Sequence, residues 1–509
     1  MKSATPYKLI CNLLAAIGLC SLLAGGYGVY LVAKSYHLPP RLLVLKVMKK
    51  LDLEQTALAE YLRPDPVRPA GLALPDLEDP DWQGHGARAD RQLQPVVYDL
   101  QGRPVPRAWL EHGREAYPAQ GSVRIVVVRE GAEFRQAIKQ AQPGDEIRLQ
   151  PGVYRIKSRN IEIMRGGSVQ HPVVVKAERL GAVIIELDSR EGFWINAPYW
   201  IFENLEIKGV TNNHDYGEHA FHVVGGGKGF VLRNCRLYGF NAMIKGNGHR
   251  GRNGQILFPD NVLIENNHFF NTEIRRTSHP VTFIDVVGPD HWIVRGNLIA
   301  DFGKGEGDRV SYAAFLKGNS SDGVFENNLV IGEYRTTGGV RVGLSLGGGG
   351  SGAQFSRYGS NEVEHTGGIV RNNIVMYCSD VGLYLNKARD TRVLNNTFYR
   401  TMGIDVRFPV SSAVVRNNLL NGRIKERDDG VSLSDHNLVA SVDDFADWFT
   451  LPSQGVFTLK DGRKLIDQGI ESEQIKEDFC GQQRAEKPDI GPIEYDQGRM
   501  CPPLLGPFQ

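Results

Sequence analysis

One phrase recurs between Phe202 and Leu420: apolar residues, then Arg or Glu, then Asn or Asn-Asn, then more apolar residues. It reads Ile201-Phe202-Glu203-Asn204-Leu205, then Val231-Leu232-Arg233-Asn234-Cys235, then Leu263-Ile264-Glu265-Asn266-Asn267. Variants recur at Arg295-Gly296-Asn297, Glu326-Asn327-Asn328, Arg371-Asn372-Asn373, Asn395-Asn396 and Arg416-Asn417-Asn418. The last Asn of each copy falls at 204, 234, 267, 297, 328, 373, 396 and 418, so the gaps are 30, 33, 30, 31, 45, 23 and 22. A short floor with variable excess describes one structural unit whose loops accept insertions. The apolar runs are short and alternating, as in strands rather than helices. Three such strands per repeat predict an all-β chain, a right-handed parallel β-helix. Asn tolerates the left-handed backbone region at a tight turn, and its amide can bond the equivalent amides above and below. Gly at 58 of 509 residues, roughly 11% against ~7% in average proteins, fits a fold built of turns.

The ends differ from this solenoid. Leu9 to Ala33 carry no charged side chain over 25 positions, enough to cross a bilayer core of about 30 Å. The run is longer than a signal-peptide core, and Leu31-Val32-Ala33 is not a cleavage site of the A-x-A kind. An uncleaved single transmembrane helix over 1–34 is therefore expected. Cations flank both sides of it, so charge does not set its orientation. The expectation of a cytoplasmic N-terminus and a periplasmic or extracellular bulk comes from the character of the bulk. Residues 35–120 read as a juxtamembrane segment and a Pro/Asp-rich spacer, 121–440 as the β-helix, and 441–509 as a C-terminal cap and tail. The helical period of Gly131–Ala141 predicts a helix covering the first coil, because a solenoid end needs a cap. Cys480 and Cys501 are candidates to bridge in an oxidising compartment, whereas Cys235 and Cys378 read as core residues.

Ten to twelve residues before most Asn phrases lies a second family of strands, including Phe193-Trp194-Ile195, Phe221-His222-Val223, Ile284-Asp285 and Leu316-Lys317. Alternation turns Ile195, Val223, Ile244, Ile284, Leu316, Leu346, Leu385 and Val406 inward. The outward column then contains His222, Lys245, Asp285, Lys317, Ser345, Tyr384 with Asn386, and Asp405 with Arg407. With coils ~4.8 Å apart, Lys245, Asp285 and Lys317 are expected as stacked neighbours. Arg275, Arg276, Arg309, Arg335 and Arg341 on entering segments, and His249, Arg250 and Arg252 after Lys245, would line a basic groove. The total charge is nearly neutral, with 59 Lys and Arg against 58 Asp and Glu, so nothing points to nucleic acid. A local basic groove suits an anionic polysaccharide.

Glycoside hydrolysis needs two carboxyl groups roughly 5–9.5 Å apart. Asp285 and Asp405 are four coils, or ~19 Å, apart. Elimination on a uronate needs instead a base for the proton beside the carboxylate and a cation to neutralise that carboxylate. Lys317 is the first candidate for base. An adjacent Asp285 would hold it protonated and turn it into the neutralising cation, leaving Tyr384 or His222 as base. Lys245, Asp285, Asn386, Arg407, Arg275 and Arg335 are the expected substrate-binding residues. No cofactor is expected; Ca²⁺ through Asp285 is the one metal considered, and the compact cluster of about six to eight oxygens it prefers is not evident.

With Pro143-Gly144-Asp145-Glu146-Ile147-Arg148-Leu149-Gln150-Pro151-Gly152-Val153-Tyr154, His171-Pro172-Val173-Val174-Val175-Lys176-Ala177, and the terminal Phe479-Cys480-Gly481-Gln482-Gln483-Arg484, the chain resembles polysaccharide lyases of the chondroitinase B and alginate lyase type. These belong to the pectate-lyase-like β-helix superfamily, and the likeness spans roughly Ile125 to Tyr495. In that family a Lys in a Ser-x-Lys-Ser strand is the base. Ala314-Phe315-Leu316-Lys317-Gly318-Asn319 looks like that strand, so the resemblance assigns the role to Lys317. Gly343-Leu344-Ser345-Leu346-Gly347-Gly348 looks like the strand with the assisting Arg, but Gly347 stands in the Arg position, leaving Arg341 or Arg407 to replace it. The family's calcium-binding acidic residues have no match in Val310–Phe315. The expected function is β-elimination on a uronate polysaccharide, with a non-catalytic polysaccharide-binding scaffold and a uronate epimerase as alternatives.

Overall fold

The computed structural model describes residues 124–495, apart from 252, 253, 461 and 473, and a two-residue pairing of Val97–Tyr98 with Pro104–Val105. Each repeat contributes one strand to each of three long sheets of twelve, eleven and ten strands, all paired in parallel with the preceding and following repeat. This is a parallel β-helix, consistent with the right-handed winding that nearly all parallel crossovers adopt. The expected transmembrane helix lies outside the described residues. Among the described residues no helix is long and apolar enough to cross a membrane.

The Asn phrase joins the first sheet to the second, and the structure divides its work between two positions. Asn204, Asn234, Asn266, Asn327, Asn372, Asn395 and Asn417 have φ between 49° and 60°, so the residue directly after the strand takes the left-handed turn. The next residue builds the ladder. Asn267 Nδ2 donates to Asn297 Oδ1 at 3.1 Å, Asn297 to Asn328 at 3.0 Å, and Asn328 to Asn373 at 2.9 Å. The chain of amides continues through Asn396 and Asn418 to Asn437 at 2.9 Å per step. Asn204 and Asn234 hold the turn position only, and their ladder neighbours are Leu205 and Cys235. The charged residue before each turn makes a second ladder. Glu203 pairs with Arg233, Glu265 with Arg295, Glu326 with Arg371, and Arg416 with Asp435. Alternating sign from coil to coil explains why the phrase tolerates either Glu or Arg, since like charges directly opposite are unfavourable.

The interior is one continuous apolar column running from Val128 to Leu420. The helix Gly131–Gln140 buries Phe134, Ala137 and Ile138 and packs on the strands of the first coil. Phe134 meets the rings of Tyr154 and Phe193 edge-on at 6.2 and 6.1 Å. After residue 440 the chain forms the helix Val442–Trp448, whose Ser441 and Asp444 make a reciprocal cap. It then returns along the outside of the second sheet. Phe445, Phe457, Leu465, Phe479 and Ile490 form a separate core there with Leu298, Leu329, Ile374 and Leu419. Backbone carbonyls of this segment accept from the turn asparagines Asn372, Asn395 and Asn417. Cys480 is disulfide-bonded, while Cys501 lies outside the described residues. Cys235 and Cys378 are buried thiols, as expected of core residues.

Candidate functional site

The third sheet carries the longest strands, among them His219–Val224, Ala242–Asn247, Val281–Val287, Val310–Lys317 and Val340–Gly347. The first four have two consecutive inward residues, Ala220 with Phe221, Met243 with Ile244, Phe283 with Ile284, and Ala313 with Ala314. Two successive side chains face the core only where the strand bends, so alternation changes phase there. The bend leaves outward rows on both sides of it.

The central row runs from Trp194 through His222, Lys245, Asp285, Phe315, Ser345 and Tyr384 to Asp405. The exterior wall inferred from sequence therefore exists for His222, Lys245, Asp285 and Tyr384. Lys317 departs from the expected stack. Phe315 stands opposite Asp285, and Lys317 stands opposite Val287, in the next outward row with Asn247. Farther along that row Asn386 registers with Gly347 and with Arg407. A two-residue shift keeps every inward residue inward, so alternation alone cannot detect it.

Lys317 is 9% exposed. Its Nζ lies 4.2 Å from the centroid of the Phe315 ring and donates to the Gly349 carbonyl at 3.1 Å. Burial pushes its ammonium pKa down, opposed by the charge of Asp285. This reverses the expected balance: desolvation outweighs Asp285, so Lys317 is shifted towards the neutral form. Asp285 itself is held by Lys245 at 2.6 Å. Glu364, which accepts from the Gly318 N–H at 2.8 Å, is pushed up by burial. Tyr384 accepts at 2.9 Å from Arg407, whose other partner is Asp428. Asp405 is bound by Arg427, so the two aspartates of the wall are occupied in separate ion pairs, four strands apart.

At the other end of the wall Glu191, His219 and His222 converge. His222 Nδ1 is 3.0 Å and His219 Nδ1 3.6 Å from Glu191 Oε1. The imidazoles of His219 and His222 hold the Glu191 carboxyl well below the usual carboxylate range, and burial pushes His219 down. His219 and Glu191 escape a sequence reading because strict alternation puts His219 and His222 on opposite faces. The inward pair Ala220–Phe221 returns them to one side. The visible signal was the His-x-x-His spacing across an apolar pair.

Three expected groove arginines lie elsewhere. Arg341 is fully buried and donates to the carbonyls of Gly332 and Gly338 and to Thr336 Oγ1, fastening a loop. Arg275 is 4% exposed, donates to Asn241 Oδ1 at 2.7 Å, and is pushed down to about 10 by burial. Arg335 lies over the Phe270 ring, on the second sheet. A guanidinium at a loop entry has carbonyls within reach, and Arg341 and Arg275 serve such carbonyls while Arg335 covers a ring, so none of the three turns to the groove. Arg252 is outside the described residues. Gly347 also has a physical reason: its φ is +73°, and a Cβ there would stand 1.9 Å from the Asn386 carbonyl oxygen. No side chain fits in the position where the resemblance places an arginine.

A chondroitinase B family model matches residues 128–208, a stretch that contains Glu191 and Trp194 and ends before His219. Pectate lyase L of Dickeya chrysanthemi is 23% identical over 396 residues, covering 71% of this chain and 85% of that protein. The crystal structure of pectate lyase Pel9A superposes with a TM-score of 0.54 at 16% identity, over 74% of this chain and 98% of that one. The parallel coils and the Asn ladder build a β-helix, the fold shared with the Pel9A structure, and in sequence the chain is similar to polysaccharide lyases of the β-helix type.

Proposed function

We propose that the chain cleaves a uronate-containing polysaccharide by β-elimination, with Lys317 as the base. The carrying observation is a lysine on the outer face of the third sheet that is nearly buried, and burial pushes its ammonium pKa down. The names of its relatives, chondroitinase and pectate lyase, support a polyanionic substrate of this class. In the reaction Lys317 Nζ takes the proton from the carbon beside the carboxylate. That electron pair forms the carbon–carbon double bond, the bond to the glycosidic oxygen breaks, and the leaving oxygen takes a proton from the Tyr384 hydroxyl. Lys245 and Arg407, two and three strands to either side of Lys317, are ~10 and ~14 Å from it and suit separate carboxylates of one chain. Lys245 is paired with Asp285 and Arg407 with Asp428, so each is a positioned cation rather than a free one.

The test is the ultraviolet absorbance of the unsaturated product, with the purified protein against alginate, pectate and glycosaminoglycans. Arg407→Ala is expected to lower kcat/KM about tenfold or more, through loss of a charge-assisted contact of ~1.5–3 kcal/mol. An unchanged kcat/KM would remove Arg407 from the site. The exclusion of an arginine at Gly347 favours a second reading, a protein that binds such a polymer without cleaving it. Binding with no absorbance on any substrate would establish that alternative over elimination. Epimerisation starts with the same proton abstraction and would appear as altered uronate composition without chain cleavage. An extracytoplasmic bulk anchored by Leu9–Ala33 is part of the proposal, supported by the uncharged run and the polymeric substrate.

A further inference from the structure

We propose that Glu191, His219 and His222 form a binding site for a divalent transition metal, oriented by Asn247. The inference goes beyond the elimination reading and stands without it, because it rests on the arrangement of these four side chains.

Asn247 Nδ2 donates to the Gly248 carbonyl at 2.9 Å, which fixes the amide with Oδ1 facing His222. That oxygen lies 2.6 Å from His222 Nε2 and can only accept, so Nε2 carries the proton. In the neutral imidazole Nδ1 is then a lone pair, and it points at Glu191 Oε1 from 3.0 Å. Two lone pairs facing at that distance require a cation between them. A proton on His222 would serve that contact but not its neighbour: His219 Nδ1 is shielded from solvent, lacks a hydrogen-bond partner, and faces the same oxygen at 3.6 Å. One metal ion answers all three atoms together.

The dimensions agree. The three ligand atoms lie within 4.8 Å of one another, and metal–nitrogen and metal–oxygen bonds of ~2.0–2.2 Å in a tetrahedron imply edges of about 3.3 Å. Two imidazoles and one carboxylate suit zinc or another first-row divalent ion rather than Ca²⁺, which seeks more oxygens. The Asn247 carbonyl is the outer partner that a ligating histidine commonly has. The neighbouring cation Lys245 is held by Asp285 at 2.6 Å, and Arg190 by Glu218 at 2.9 Å, so both local positive charges are paired. Three protein ligands leave a coordination position for water or an oxygen of a bound polyanion.

Chelator-treated full-length protein is titrated with ZnCl₂ by calorimetry and with CoCl₂ by visible spectroscopy. The expected result is one tight site per chain, with a Co²⁺ ligand-field spectrum of low coordination number. Zinc binding should be lost in Glu191→Gln and His222→Ala. In Asn247→Ala it should weaken about 10–100-fold. Circular dichroism confirms the fold of each variant, and the near-isosteric Glu191→Gln carries the test if His222→Ala does not fold. Absence of stoichiometric uptake, uptake unchanged in Glu191→Gln, or equal competition by CaCl₂ would overturn the site and leave an imidazolium–carboxylate contact in its place.

Discussion

Lys317→Ala lowers turnover ~10²- to 10⁴-fold with the fold intact, the range typical of removing a general base. Lys317 sits on the outside of the sheet, its side chain against Phe315 and the Gly348–Gly349 segment and apart from the apolar column, so truncation opens a notch in the outer face rather than a core cavity. Lys317→Arg should be equally inactive, since a guanidinium does not deprotonate. The pH profile tells base from binding cation. Lys317 acts when neutral, so activity rises with pH through its depressed pKa, and the acid limb lies below the ordinary lysine value of 10.5. Burial sets the depression and the Asp285 charge opposes it. Asp285→Asn removes the opposing charge and releases Lys245 from its 2.6 Å partner, and both changes favour the neutral amine. The acid limb should therefore move to lower pH. A limb that moves up or stays, or a Lys317→Ala variant with near-normal turnover, removes Lys317 as the base.

The coil was legible because the same residue types return at the same turn, and each return has a cause that operates in every coil. The left-handed turn wants Asn, the ladder wants Asn, and the alternating ion pairs want Glu or Arg. What the pattern blurred was which of the two asparagines does which task, since both lie beside each other in five of the repeats. His436-Asn437 continues both positions, with His436 at φ 49°, and passes unnoticed because His replaces the turn Asn. The wall was readable by face but not by row. Alternation separates inside from outside, yet it is blind to a slip of two, which is why Lys317 lands in Asn247's row instead of on Asp285. It also fails at the bends, where Ala220 and Phe221 both turn inward and bring His219 round to His222. Arg275, Arg335 and Arg341 were misplaced for a different reason. Long side chains leaving a loop go to whatever carbonyl or ring lies nearest, and loop geometry is not periodic.

Asn328→Ala should destabilise the protein by about 3 kcal/mol or more, measured by denaturant unfolding, although it touches no residue of the wall. Asn328 is fully buried at the middle of the ladder. Its Oδ1 accepts from the Asn297 backbone N–H at 3.1 Å and from Asn297 Nδ2 at 3.0 Å. Its Nδ2 donates to the Val294 carbonyl at 2.9 Å and to Asn373 Oδ1 at 2.9 Å. Truncation leaves the Asn297 N–H and the Val294 carbonyl without these partners in a dry interior. Each buried group left unsatisfied costs ~1–3 kcal/mol. The side-chain amide of Asn297 is a smaller loss, because it also bonds the Ile264 and Arg295 carbonyls. Asn437 supplies the comparison. It accepts from Asn418 N and Nδ2 in the same way, at 2.9 Å each, but it ends the ladder and is only half-buried. Water can replace its amide, so Asn437→Ala should cost ~1 kcal/mol, the ordinary net value of a hydrogen bond. Equal losses at the two positions would mean that the ladder follows from the packing of the coils instead of holding them in register.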